Sequence, residues 1–158
     1  MVLHATILND HLEYMKEYIE RGSEVNYKDF ADWTPLHCAV FMGNVLYIKE
    51  LIHRPYISLQ EKNDEGKTPI QLAIESGSLF GEENAVTCLL ERGVEIEEDI
   101  WHKLLILALN YDIVQYVRLA HKARVELHNT NIETKISLHK AVCCHAVKII
   151  RFFGETFS

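Results

Sequence analysis

Thr34-Pro35-Leu36-His37-Cys38-Ala39-Val40 is matched 34 residues later by Thr68-Pro69-Ile70-Gln71-Leu72-Ala73-Ile74, so the chain is read as a repeat. Two of its three prolines thereby occupy equivalent places. Stepping outward from His37 lands on His4 in one direction and on Gln71, Leu104 and His139 in the other, at intervals of 33, 34, 33 and 35 residues. Leu3-His4-Ala5 and Leu138-His139-Lys140-Ala141 surround the outer anchors. A second match runs alongside: Tyr18-Ile19-Glu20-Arg21-Gly22-Ser23-Glu24-Val25-Asn26 is echoed by Leu89-Leu90-Glu91-Arg92-Gly93-Val94-Glu95-Ile96-Glu97. Self-similarity at a period of this size marks an array of small supersecondary units.

Between units, Asn63-Asp64-Glu65-Gly66-Lys67-Thr68 places a turn glycine just before a Thr-Pro helix opening. Asp29-Phe30-Ala31-Asp32-Trp33-Thr34 is the same hexad with Asp in the glycine's place. Asp enters left-handed backbone more readily than most residues, so the turn survives. Leu12, Met15 and Ile19, and then Val45, Ile48, Leu51 and Ile52, recur at helical spacing, one apolar stripe per second helix. A lone two-helix unit cannot bury such stripes, so neighbouring units must stack.

The turn, the Thr-Pro-Leu-His helix start and the Leu-Leu-x-x-Gly helix end together resemble the ankyrin repeat. That resemblance implies an all-α repeat solenoid of stacked helix-turn-helix units with short β-hairpin fingers. It covers the chain as one domain of five approximate repeats, 1–28, 29–62, 63–95, 96–130 and 131–158. The fourth lacks Thr-Pro and Gly, and the third carries about four extra residues near Ser78-Leu79-Phe80-Gly81. The first begins at its first helix and the last stops near Phe152-Phe153-Gly154, so the ends are caps or the array is cut from something longer. In the family, the Thr and His of the motif hydrogen-bond within and between repeats, which makes His4, His37 and His139 structural. Asn26 stands at the family's hairpin Asn and is read the same way.

Composition narrows the function. With 158 residues, 16 Lys plus Arg against 23 Asp plus Glu, and a net charge of −7, the field repels phosphate backbones, and no basic patch offsets it. Nucleic acid is not an expected partner. No apolar run approaches the roughly 18 residues of a membrane span, and Met1-Val2-Leu3-His4 is not a signal-peptide opening, so a cytoplasmic or nuclear location is expected. Cys38, Cys88, Cys143 and Cys144 are too irregular for a disulfide framework and read as thiols, mostly buried. On a helix His139 and Cys143 share a face while Cys144 and His145 point elsewhere, and two ligands are too few for a closed metal site. Phosphate loops, dinucleotide turns and His-Glu-x-x-His are missing. The expectation is a non-enzyme without cofactor or metal.

What stacking does not consume is a surface. In the ankyrin family partners usually bind the concave side, made of fingers and the exposed part of each first helix. Carried over by position, the second unit offers Phe30, Ala31 and Trp33 on its finger and Phe41 and Met42 on its first helix. Four of these five are large and apolar, the chemistry of interface anchors. The third unit presents Asp64, Glu65, Lys67 and Glu75, a polar flank. From Glu82 to Asp99 run seven acidic residues and one basic, Arg92, a stretch suited to steering a basic partner segment. Ile100 and Trp101 follow, read as the fourth finger. The resulting expectation is a protein–protein interaction module that masks or scaffolds another protein, as a monomer rather than a homodimer. Its rival is a piece of a larger array with a structural or self-associating role. A stand-alone array of this length also resembles small inhibitory ankyrin proteins, both the kinase inhibitors and the short viral relatives of the NF-κB inhibitors. The degenerate later repeats fit a viral, symbiont or parasite effector better than a consensus-like array.

Overall fold

The structure, a computed structural model, describes residues 1–76 and 84–122 together with Lys148, Ile149, Arg151 and Glu155. It falls into two compact units, Met1–Val94 and Glu95–Ser158. The first unit is three helical hairpins: α1 (Val2–Leu8) with α2 (Leu12–Glu20), α3 (Pro35–Phe41) with α4 (Val45–Ile52), and α5 (Pro69–Glu75) with α6 (Ala85–Glu91). The first helices stack α1 on α3 on α5, and α4 packs on α6 behind them. The result is the layered helical array that the period calls for.

α3, α4 and α6 each start at a side chain that accepts a backbone N–H of the first turn: Thr34, Asn44 and Asn84. At α3, Thr34 Oγ1 accepts the His37 backbone N–H while the His37 ring accepts the Thr34 N–H, with Pro35 at the first helical position, where no N–H is missed. Gln71 does the ring's work at α5, its Oε1 accepting the Thr68 N–H at 2.9 Å. Buried Leu36, Ala39 and Val40 face Ile48, Leu51 and Ile52 of the second helix, also buried. Val45, Leu12 and Ile19 are only half-buried, whereas Met15 is fully so.

The fingers are tight turns, and among the described residues none forms a strand. Asp29 Oδ1 accepts the N–H groups of Ala31 and Trp33, both at 2.9 Å, and Asn63 Oδ1 accepts those of Glu65 and Lys67 at 3.1 and 2.9 Å. One side chain thus closes each turn, locally replacing a ladder. Asp32 takes φ 55° where Gly66 takes 75°, as the hexad comparison expects. Neighbouring fingers are joined by the Asp64 N–H to the Ala31 carbonyl at 3.1 Å.

The second unit holds α7 (Glu98–Tyr111) and α8 (Val114–Lys122), which pack together. Here the sequence expectation needs correcting. Ile100 and Trp101 are not on a finger but in the first turn of α7, and both are buried. Without Thr-Pro to set a late start, the helix begins at Glu98 and runs for 14 residues, twice the length of α1, α3 or α5. Leu104, Leu105, Ala108 and Leu109 form its buried stripe. Asp112, at φ 54°, ends it, and its carboxylate accepts the N–H groups of Lys148 and Ile149. Among the described residues no helix is long and apolar enough to cross a membrane.

Two second helices are followed directly by a left-handed residue. Gly22 and Gly93 supply it at φ 88° and 84°, whereas after α4 the left-handed residue comes two positions later, Tyr56 at φ 65°. Its carbonyl accepts Asn26 Nδ2 at 2.7 Å while Asn26 Oδ1 accepts the Ser58 N–H at 2.8 Å, and this clasp holds the strained residue. The Tyr56 side chain itself is exposed. Replacing it with glycine, Tyr56→Gly, is expected to raise the unfolding free energy by about 1 kcal/mol, read from urea melts.

Candidate surface for a protein partner

His37 positions the site. Its ring nitrogen Nδ1 lies 2.8 Å from Thr34 Oγ1 and accepts the Thr34 N–H, so Nε2 carries the proton and donates to the Lys67 carbonyl at 3.1 Å. His4 repeats the outward bond one unit earlier, Nε2 to the Trp33 carbonyl at 2.7 Å. Each ring therefore ties a first helix to the last finger residue of the following unit. Met1 stands where the second unit has Thr34, and His4 Nδ1 is correspondingly buried without a hydrogen-bond partner. His139, the third anchor, lies outside the described residues.

With the fingers so placed, the expected site residues divide. Phe30 is 97% exposed at its turn. Phe41 and Met42, at the end of α3, are 55% and 50% exposed. Trp33 is half-buried: its ring meets Phe41 edge-on at 5.4 Å and lies 6.1 Å from the His37 ring, so it floors the patch rather than projecting from it. Ala31 is half-buried too, its carbonyl spent on the finger-to-finger bond. Asp64, Glu65 and Glu75 are exposed. Lys67 Nζ sits 2.7 Å from Glu65 Oε2 and 2.7 Å from Glu75 Oε2, which draws finger and helix of the third unit together. Those hydrogen bonds hold its ammonium well above the usual lysine range.

Two further members went unread in the sequence. Leu8, the last residue of α1, is 56% exposed on the helix that packs against α3. It lies 33 residues before Phe41, and stepping one period back along the array finds it. Asp32, read only as a turn residue, is exposed beside Trp33. The acidic run is partly outside the described residues; within them Glu91, Glu95 and Glu97 are exposed. Its single cation, Arg92, donates Nε–H to the Ile52 carbonyl at 2.9 Å, the favourable end of the α4 dipole.

Cys38 and Cys88 are buried, and burial, with Asp29 adding repulsion, pushes the Cys38 thiol up to about 12, far from a reactive thiolate. Among the described residues no three His, Cys, Asp or Glu side chains converge as metal ligands. The pair His139 and Cys143, with Cys144 and His145, lies outside them.

Comparison with known proteins agrees with this array. The family model described as Ankyrin repeats (3 copies) matches residues 3–100, more than half of the chain. A stretch of 77 residues, 48% of the chain, is 35% identical to the human SMC5-SMC6 complex localization factor protein 1 and 34% identical to its Bos taurus counterpart. The match spans 7% of the length of each of these relatives.

Burial is the main cause that lowers the His37 pKa from its ordinary value of 6.5, with Lys28 adding to it and the Lys67 carbonyl, Glu61 and Asp29 opposing. In the unfolded chain the ring titrates near 6.5, so below that pH the unfolded state binds the proton first. The stabilisation is complete above about 6.5 and is lost as pH falls toward the lower, folded value. Thermal melts from pH 7 to 5 should therefore show stability falling with acidification, and less steeply in His37→Gln, which copies Gln71.

Proposed function

The chain belongs to the ankyrin-repeat family, and from that premise we propose that it binds a partner protein on the face formed by the fingers and first helices of its first three repeats. The observation that carries this reading is the group Phe30, Phe41 and Met42: large apolar side chains on the second repeat's finger and first-helix end, left half-exposed or more. Side chains of this kind, clustered and ringed by charge, are the anatomy of an interface. Binding rather than catalysis is the mode, since an array of this family acts through the surface that it presents.

Between masking a partner and scaffolding it, similarity to a protein named for localising a complex favours scaffolding. The inhibitor and viral-effector readings gain no support from that relative. We assign the protein to the cytoplasm or nucleus, where the buried thiols Cys38 and Cys88 stay reduced.

Photo-crosslinking residues placed at position 41 and, as a control, at exposed Tyr56 test the surface. One partner should be trapped from position 41 and not from 56. Against that partner the triple variant Phe30→Ser/Phe41→Ser/Met42→Ser should lose at least roughly thirtyfold in affinity with its helical signal intact. Equal crosslinking from both positions, or unchanged affinity, would show that another face binds.

A further inference from the structure

We propose that the segment held by this surface is apolar at one end and cationic at the other: a stretch of protein chain with aliphatic or aromatic anchors over Leu8, Phe41 and Met42, and lysine or arginine side chains over the carboxylates of the third repeat. This rests on the reading above and adds the chemistry of the occupant.

The surface changes character along the stacking direction. Leu8 on α1, then Phe30, Phe41 and Met42 in the second repeat, are apolar and exposed. Asp64, Glu65 and Glu75 of the third repeat follow, also exposed, with Lys67 the cation among them; Asp32 is exposed on the second repeat's own finger. Asp64, Glu65 and Glu75, with Asp32 beside them on the second finger, outnumber the lysines Lys62 and Lys67 there. On the finger stem Lys28 Nζ is held by Glu61 at 3.0 Å, and Lys62 is exposed. An acidic segment laid here meets like charge, and a nucleic acid meets the same repulsion.

Lys67 shows what such a segment's charge must do. Its Nζ is shared between a finger carboxylate and a helix carboxylate, and both glutamates remain more than half exposed, at 56% and 54%. An ammonium on a flexible stem can turn away and leave both carboxylates to an incoming lysine or arginine. Lys67 is therefore an internal competitor for the partner's cation.

The helix stack also sets a length. Leu8 and Glu75 end α1 and α5, two packing steps apart across α3. At roughly 8–10 Å per step that is roughly 16–20 Å, which about six residues of extended chain cover. Anchor and cation in the bound segment should be separated accordingly.

The test uses labelled synthetic decapeptides on the full chain, followed by fluorescence anisotropy. One peptide carries two leucines at one end and two lysines about six residues away; its counterparts replace lysine by glutamate or leucine by serine. The Leu/Lys peptide should bind and weaken with salt, and both counterparts should bind less. Glu65→Gln and Glu75→Gln should each weaken it by up to about fivefold, the scale of a solvent-exposed pair. Lys67→Met should tighten it, which a purely structural lysine would not do. Equal binding of the Glu peptide, no gain in Lys67→Met, or no binding of any peptide overturns the cationic assignment. If the crosslinked partner is still lost in the triple variant, only this assignment falls; if it is retained, the surface itself is wrong.

Discussion

A neutral imidazole, donating from Nε2 to a carbonyl of the next repeat, is the constraint on which the first unit depends. His37 can make that bond to Lys67 only because Thr34 occupies its other nitrogen from within the same helix start. The ring is thus oriented locally and spent across the repeat boundary. Its proton position follows from the Thr34 N–H, which needs a lone pair, and burial reinforces the uncharged state. One residue type at one place therefore sets the helix start, the tautomer and the seat of the following finger.

Because the fingers are seated from below, their tips are relieved of structural work. Asp29 and Asn63 close the turns by accepting two N–H groups each, and the Ala31 carbonyl links one finger to the next. What remains at the tips and on the helix ends is not needed for stacking. Phe30, Phe41 and Met42 there are exposed at a cost in solvation that a solvated repeat avoids, and half-buried Trp33 meets Phe41 edge-on. The third repeat answers with carboxylates at the same positions, so stacking order becomes chemical order across the face.

Much of this was legible from single residues. Phe41 and Met42 are exposed as their helix positions imply, and Asp32 adopts the glycine conformation that its place in the hexad requires. Trp33 and Ala31 were legible as finger residues but not as half-buried ones, because burial there depends on Phe41 and on the neighbouring finger. Leu8 was legible only through the period. Ile100 and Trp101 were misplaced for a physical reason: with no Thr-Pro, nothing local marks where α7 begins, and packing of the stripe from Leu104 to Leu109 extends the helix back to Glu98.

By itself the sequence determined the repeat, the starts of α3 and α5 and the finger turns, since caps, prolines and left-handed positions act within a few residues of chain. It also determined the charge order along the array, which needs only position and type. Tertiary structure alone decided which carbonyl receives each histidine, which aromatic floors the patch and which projects, and that Lys67 is shared by two glutamates. Those outcomes join groups about thirty residues apart, or groups on finger and helix, and no local preference reaches that far.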